Sequence, residues 1–159
     1  MVIDLDVHQG NGTAEIFQND SSVYTFSMHA DANYPWSSRI PGDLDVPLPN
    51  DITDSEYVSV LEQNLTTIHN NAFNKQVPEL VIYQAGVDPL KQDRLGKLSL
   101  THEGLRDRND VVYQYCHRFN IPCIVLMGGG YSRPIEPSAK AHLDVFTQAA
   151  EYCSSASAV

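Results

Sequence analysis

The feature of this sequence that most restricts its fold is an alternation of short apolar segments with amphipathic ones. Four apolar segments are rich in β-branched and aromatic residues and predict strands. They lie near Val2–Asp6, Val23–Ser27, Leu80–Gln84 and Ile121–Met127. Because helical patterns lie between or after these segments, we predict an α/β fold with three layers, α-β-α, and a parallel sheet.

Capping residues mark the starts of two predicted helices. Thr53 and Glu56 form a capping-box pattern ahead of apolar residues at helical spacing. Thr101 takes the same place before a second amphipathic segment. A third helix is predicted from about Pro137 to Cys153. The residues expected on its inward face are Leu143, Phe146 and Ala150.

The remaining stretches suggest the domain organisation. Residues 28–49 contain four prolines and little periodicity, and they predict a long loop of the kind that is usually functional. A short helix is predicted at Thr13–Phe17. We assign residues 1–153 to one domain and residues 154–159 to a frayed tail. Because the first strand starts without any lead-in, we expect a domain that is truncated at its N-terminus.

Charge and composition argue against several classes of function. A net charge of −10 without a basic patch argues against direct nucleic-acid binding. No apolar stretch approaches the roughly 20 residues of a membrane helix, and no secretory signal peptide opens the chain. We therefore expect an intracellular protein, nuclear or cytoplasmic, that does not contact membranes. Three cysteines without close pairing argue against a disulfide framework.

Side chains that can bind a metal follow the predicted strands. The first strand ends in Asp4, Asp6 and His8, the third runs into Asp88, and the fourth runs into three glycines and Tyr131. Ligands of open parallel sheets bind at the carboxyl ends of the strands. Asp6 and His8 share one face of an extended segment, and with Asp88 they would leave one coordination position open, as in a catalytic zinc site. Taken alone, the Asp-x-His pattern also fits a polar strand end with a capping aspartate.

Three longer motifs resemble those of one known family. Residues 4–13, DLDVHQGNGT, resemble the zinc-binding segment of histone deacetylases. Residues 84–88, QAGVD, with DRLG at 93–96, resemble the loop that carries their third ligand, and GGGY at 128–131 resembles their glycine turn with the catalytic tyrosine. The motifs occur in family order and at family spacing. The chain is therefore identified as a member of the histone deacetylase family, as its C-terminal half only, which implies the arginase/deacetylase fold.

The resemblance implies a role for each matching residue. Asp6, His8 and Asp88 would bind Zn²⁺. Tyr131 would be catalytic, because it would donate a hydrogen bond to the substrate carbonyl and to the oxyanion that forms from it. Asp4 would lie behind the ligands and orient a histidine of the family's catalytic pair.

The resemblance also extends to the substrate and to a second ion. Gly129 and Gly130 would let the backbone approach the substrate closely. Tyr34 and Leu95 fall where the family places walls of its acyl-lysine tunnel. The family binds a monovalent cation, K⁺, beside the zinc. The residues implied for it here are Asp4, Asp6, His8 and Ser27.

One part of the family pattern has no counterpart in these residues. The family's general base belongs to an adjacent histidine pair, and this sequence contains no His-His pair. Loss of such a base typically costs about 10²–10⁴-fold in rate. His29 is expected on the loop after the second strand, with the rim of the pocket as the minor alternative for its side chain. The other histidines, among them His142, are expected on helices or their ends, away from the strand tips.

Three functions are consistent with the sequence. The first is a zinc-dependent hydrolase that removes acetyl groups from lysine side chains, with histone tails as the family substrate and corepressor subunits as further partners. The second is an acetylpolyamine amidohydrolase, with which the acidic charge is compatible. The third is a non-catalytic remnant that binds a partner, which the missing histidine pair favours.

Overall fold

The computed structural model describes residues 1–73 and 76–156 and contains one sheet flanked by helices. Its strands are β1 (Val2–Asp4), β2 (Thr25–Ala30), β3 (Leu44–Leu48), β4 (Val81–Gln84) and β5 (Cys123–Leu126). They stand in the order β3-β2-β1-β4-β5, and every pair is parallel. The predicted α/β class with a parallel sheet is confirmed.

The position of β1 in the middle of the sheet determines where the chemistry can gather. Asp4, the last residue of β1, lies opposite Ser27 of β2 and Gln84 of β4. The three residues of β1 are buried. Because the strands are parallel, the segments that follow β1 and β4 leave the sheet at the same edge, side by side.

The prediction of one long loop over residues 28–49 was wrong at both ends. β2 continues to Ala30, and residues 44–48 form β3, which pairs with Phe26–Ala30. Pro47 lies inside β3, opposite His29. Proline lacks the N–H of a ladder and is tolerated on an edge strand, which β3 is. The prolines of residues 28–49 favoured a loop in the sequence, but β3 tolerates Pro47 because it is an edge strand.

The helices are α1 (Asn11–Phe17), α2 (Asp54–Asn71), α3 (His102–Arg118) and α4 (Glu136–Ala156). The capping box of α2 is confirmed, because Thr53 N donates to Glu56 Oε2 at 2.9 Å and Glu56 N donates to Thr53 Oγ1 at 3.3 Å. Thr101 caps α3 by accepting from Gly104 N at 3.0 Å. α3 packs against both α2 and α4.

The inward face of α4 differs from the predicted one. Leu143 and Phe146 are 66% and 40% exposed, whereas Ala141 and Val145 are buried. The predicted face and the buried face both repeat every three to four residues, so periodicity did not distinguish between them. The small side chain of Ala141 suits a close approach to α3, where Tyr113 Oη donates to Val145 O at 2.8 Å.

The end of α4 falls within the segment predicted as a frayed tail. The helix continues to Ala156, and residues 157–159 lie outside the described residues. Within the described part of the chain, no helix is long and apolar enough to cross a membrane.

The β5 edge of the sheet exposes apolar side chains. Ile124, Leu126 and Met127 are all exposed. A cleft of about 550 Å³ lies between α3, α4 and β5, and its lining includes Tyr113 and Tyr152. Parallel sheets are usually covered on both faces, so these exposed side chains mark a part of the sheet that is not covered within the described residues.

Loss of the capping box should weaken the start of α2. Thr53→Ala removes the oxygen that accepts from Glu56 N, and we expect the free energy of unfolding to fall by about 1 kcal/mol. Thr66→Ala is the matched control, because Thr66 is exposed in the middle of the same helix. Urea denaturation followed by circular dichroism measures both. Equal losses in the two variants would contradict a capping role for Thr53.

Candidate metal centre

Two aspartates and a histidine meet where β1 and β4 leave the sheet. Asp6 and His8 follow β1, and Asp88 follows β4. His8 Nδ1 lies 2.9 Å from Asp6 Oδ1 and 3.2 Å from Asp88 Oδ2. One possible ligand atom of each residue lies within 4.8 Å of those of the other two. The structure thus brings together the side chains that the sequence proposed as metal ligands.

Backbone amides hold the carboxylates in place. Asp6 N donates to Asp4 Oδ1 at 3.1 Å, and His8 N donates to Asp6 Oδ1 at 3.0 Å. Val7 N donates to Asp88 Oδ1 at 2.9 Å, which ties the loop after β4 to the segment after β1. Hydrogen bonds from neutral amides orient the carboxylates without neutralising them.

The centre concentrates negative charge in a buried place. Burial, and then the charge of Asp6, raises the pKa of Asp4 to about 7. Burial is also the main cause that raises the pKa of Asp88. The hydrogen bond to Asp6, followed by the contact with Asp88, raises the pKa of His8 to about 10. A bound cation would favour the ionised form of both aspartates.

One buried oxygen tests whether a metal ion fits these residues. Asp88 Oδ2 is buried, meets no hydrogen-bond donor in good geometry among the described residues, and has His8 Nδ1 as its ion-pair contact, 3.2 Å away. A buried oxygen without a well-formed hydrogen bond calls for an explanation, and an ion is one. One imidazole nitrogen and two carboxylate oxygens are a donor set that suits Zn²⁺ and leaves a fourth position open. Asp6, His8 and Asp88 therefore fit a zinc ion.

The glycine turn after β5 packs directly against the ligands. Gly129 has a φ of +61°, and a Cβ there would lie 2.4 Å from Asp88 Cγ. Gly130 has a φ of +97°, and its Cβ would lie 3.1 Å from His142 Nε2. The positive φ values and the close contacts that a Cβ would make inside the protein thus explain why both positions hold glycine. Their contact with a substrate stays a prediction.

His142 lies on a helix as predicted, but the prediction that it lies away from the strand tips was wrong. This residue lies on α4, and its ring reaches back to the glycine turn at a strand tip. α4 starts only a few residues after the turn, so its second turn passes beside Gly130. Helical spacing alone carries no information about which strand tip a helix passes.

The backbone of Tyr131 is held by two consecutive side chains. Tyr131 N donates to Asp93 Oδ2 at 2.6 Å, and Tyr131 O accepts from Arg94 Nε at 3.0 Å. Asp93 Oδ1 also accepts from Leu95 N and Gly96 N, at 2.8 and 2.9 Å. Sequence reasoning assigned no role to Asp93 or Arg94. The sequence signal that could have identified Asp93 is the Asp-x-x-Gly turn pattern at residues 93–96.

A buried asparagine that the sequence analysis did not consider connects the centre to the predicted tunnel residues. Asn33 Nδ2 donates to Leu95 O at 2.9 Å and lies 3.3 Å from His8 Nε2. Asn33 Oδ1 accepts from Lys97 N at 2.8 Å. The side chains of Leu95 and of the neighbouring Tyr34 are exposed. Asn33 therefore links His8 to Leu95 through a hydrogen bond and to Tyr34 as its neighbour in the chain. The contact of Tyr34 and Leu95 with an acyl chain stays a prediction.

Ser27 lies beside Asp4, as the predicted cation site requires. Ser27 Oγ accepts from Gly10 N at 3.2 Å and lies 3.0 Å from His29 Nδ1. Asp4 and Ser27 help to line a cavity of about 10 Å³, which is room for about one water or small ion. Potassium binding by Asp4, Asp6, His8 and Ser27 stays a prediction. The placement of His29 on a loop was wrong, because β2 continues past Ser27 and buries it.

Similarity to known proteins agrees with this geometry. The family model of the histone deacetylase domain matches residues 1–146. The chain belongs to the histone deacetylase family. One relative, an uncharacterized protein of Picosynechococcus sp., is 42% identical over 142 residues, covering 89% of this chain and 46% of that protein. Histone deacetylase 2 of Arabidopsis thaliana is 36% identical over 135 residues, covering 84% of this chain and 34% of that protein.

Solved structures share the fold of this histone deacetylase domain. A histone deacetylase homologue from Aquifex aeolicus has a TM-score of 0.77 at 24% identity, over 92% of this chain and 40% of that one. An acetylpolyamine aminohydrolase from Burkholderia pseudomallei has a TM-score of 0.74 at 22% identity, over 92% of this chain and 43% of that one. At these identities the likeness establishes the fold alone. The chain spans less than half the length of each of these four proteins.

A side chain at Gly129 should disturb the metal centre. Gly129→Ala adds a Cβ 2.4 Å from Asp88 Cγ at a positive φ. We expect the affinity for Zn²⁺ to fall at least about 10-fold and the stability to fall by about 1–3 kcal/mol. Isothermal titration calorimetry and urea denaturation measure the two effects.

Gly12→Ala is the control for this substitution. A Cβ at Gly12, in α1, meets nothing within 4 Å, so zinc affinity should be unchanged. A folded Gly129→Ala variant that binds Zn²⁺ as tightly as the wild type would contradict the idea that the turn packs against a metal-binding Asp88.

Proposed function

We propose that this chain carries the metal-binding part of a zinc-dependent deacetylase that hydrolyses the acetamide of acetylated lysine side chains. The observation that carries the proposal is the cluster of Asp6, His8 and Asp88, packed against the glycine turn that leads into Tyr131. Membership of the histone deacetylase family supports the reaction class.

Three side chains of this chain would hold the zinc ion, namely Asp6, His8 and Asp88. When bound, zinc polarises a substrate carbonyl and lowers the pKa of water. The chain itself orients the ligands, since the bond from Val7 N fixes Asp88 beside the segment that carries Asp6 and His8. Asp4, behind them, fixes Asp6 through its backbone amide.

Tyr131 would donate its phenol proton in a hydrogen bond to the carbonyl oxygen and to the oxyanion that develops there. A donor must keep its proton at neutral pH. Burial, followed by the charges of Asp88 and Asp6, raises the pKa of Tyr131 above its ordinary value. Asp93 and Arg94 hold the N–H and C=O of its peptide units, so the backbone sets the direction from which the phenol approaches.

Acetylated lysine in peptides such as histone tails is the substrate class that the family favours. The exposed rings of Tyr34 and Trp36 stand edge to face at 6.0 Å and offer an apolar wall to an aliphatic chain. A net charge of −10 suits a lysine-rich tail, and it suits an acetylpolyamine as well. In this proposal chromatin regulation, with corepressor subunits as partners, follows from the histone substrate.

Turnover also requires a group that accepts a proton from the attacking water. The sequence contains no adjacent histidine pair for this role. This chain contributes the ligands and the phenol to the proposed reaction, and its turnover is a separate quantity to be measured.

Removal of one ligand should abolish tight metal binding. Asp88→Asn removes a negative charge from a buried ligand, and we expect zinc affinity to fall by more than about 100-fold, the upper end for residues that only support a ligand. Asp107→Asn, exposed on α3, is the control and should bind like the wild type. Competition with a chromophoric chelator gives the affinities. A wild-type chain that binds no zinc would refute the proposed centre.

Loss of the phenol should reduce turnover and leave metal binding intact. We expect Tyr131→Phe to lower kcat by about 10²–10³-fold, the usual loss for one oxyanion donor, with unchanged zinc affinity. Tyr24→Phe, which changes a ring packed on Phe73, is the control. Acetate release from an acetyl-lysine peptide and from acetylspermidine is measured in parallel. Faster turnover of acetylspermidine than of the peptide would show that an acetylpolyamine, and not acetyl-lysine, is the substrate. Unchanged turnover in Tyr131→Phe would show that Tyr131 is not catalytic.

A further inference from the structure

A fully buried arginine lies beneath the metal centre without an ion-pair partner. Arg108, on α3, has a relative exposure of 0% and is the largest fully buried side chain. Within residues 1–73 and 76–154 no carboxylate lies within ion-pair distance of it. Arginine keeps its charge in proteins. A buried, unpaired charge is costly and needs a reason.

The guanidinium joins the two strand ends that carry the ligands. Arg108 Nη1 donates to Leu5 O at 3.2 Å and to Gly86 O at 2.6 Å. Leu5 immediately precedes Asp6, and Gly86 comes two residues before Asp88. The same nitrogen thus bonds to the backbone on both sides of the gap between the ligands.

These two bonds begin where the sheet ladder stops. The last register pair of β1 and β4 joins Asp4 to Gln84, and Leu5 N still donates to Gln84 O at 3.1 Å. Beyond that point Val7 N turns to the Asp88 side chain, and Arg108 supplies donors for the carbonyls of Leu5 and Gly86. A side chain of α3 therefore replaces the strand ladder at the level of the ligands.

The rest of the guanidinium is fixed by a buried polar chain. Nε and Nη2 of Arg108 donate to Asn109 Oδ1 at 3.3 and 2.9 Å, and Tyr83 Oη donates to the same oxygen at 2.7 Å. Asn109 Nδ2 donates to Gln148 Oε1 at 3.0 Å. The Tyr83 ring also lies 5.9 Å from the guanidinium carbon. Because Nη1 bonds to two backbone carbonyls and Nε and Nη2 bond to Asn109, the plane of the guanidinium has one orientation.

The charge of the guanidinium reaches one of the ligands. Arg108 interacts electrostatically with Asp88, whose pKa is raised first by burial and also by the charge of Asp6. The positive charge thus lies on the side of the ligand that faces α3.

We propose that Arg108 is a positioning residue of the metal centre. By bonding to Leu5 O and Gly86 O it sets the distance between the segments that carry Asp6 and Asp88. The inference rests on the proposed function only in that the cluster binds a divalent metal. A residue that merely filled the core would change stability without changing the geometry of the bound metal.

The test compares variants of the chain by metal affinity and by the spectrum of bound cobalt. Arg108→Lys keeps the charge and loses the fork, and Arg108→Met loses both. Zn²⁺ affinity is measured by chelator competition, Co²⁺ is titrated for its visible absorption bands, and urea denaturation of the metal-free chain gives stability. Arg106→Met is the matched control, since Arg106 is two residues away on α3 and makes a surface ion pair with Asp144 at 3.1 Å.

We expect zinc affinity to fall about 10-fold in Arg108→Lys and up to about 100-fold in Arg108→Met, as for other residues that support ligands. The cobalt bands should shift in both, and Arg106→Met should match the wild type in affinity and spectrum. A folded Arg108→Lys with wild-type affinity and bands overturns the proposal, while zinc binding by the wild type still supports the centre. A wild-type chain that binds no metal overturns both.

A milder variant covers the case in which the Arg108 variants do not fold. Tyr83→Phe keeps every ligand and Arg108 itself, but it removes a hydrogen bond from Asn109 Oδ1, the oxygen that orients the guanidinium, and so loosens the position of Arg108. We expect a zinc affinity lowered a few-fold and a shift of the cobalt bands. Wild-type values for both in a folded Tyr83→Phe would overturn the proposal.

Discussion

The repulsion between carboxylates gathered at one edge of the sheet is the constraint on which the rest of the centre depends. Two like charges about 4 Å apart repel by about 4 kcal/mol at an effective dielectric constant of about 20. That is a large part of the roughly 5–15 kcal/mol by which a domain is stable. Asp4, Asp6 and Asp88 are nevertheless held side by side, by amide donors, by adjacent parallel strands and by the His8 ring that contacts both Asp6 and Asp88. A divalent cation would offset the repulsion directly, and the donor set and the buried oxygen of Asp88 both suit one.

The surroundings of the cluster are built to limit movement. Gly129 leaves no room for a Cβ beside Asp88, so the turn after β5 closes one side. Asp93 closes its own turn and binds Tyr131 N, so it joins the loop after β4 to the loop after β5. Arg108 closes the side toward α3. A metal centre works when its ligands keep their geometry, and these contacts come from three different segments of the chain.

Apolar side chains are exposed where the sheet ends at β5. Ile124 and Leu126 alternate with partly buried neighbours, so one face of this strand is exposed and the other is packed. β5 has a neighbouring strand on one side only. The ligands, in contrast, follow β1 and β4, which have a neighbouring strand on each side.

The sequence by itself determined the alternation of strands and helices, the capping of α2 and α3, and the family, because these depend on local spacing and on short contiguous motifs. It also proposed the residues that the structure brings together as a cluster, since ligands at the ends of parallel strands follow from the order of the chain. Only the tertiary structure decided that Pro47 lies in an edge strand, which face of α4 is buried, and that His142 reaches the glycine turn. The roles of Asn33, Asp93 and Arg108 also required it, because each has a partner far away along the chain, at a distance of 62, 38 and 103 residues respectively. Local spacing contains no information about which distant backbone a buried side chain will meet.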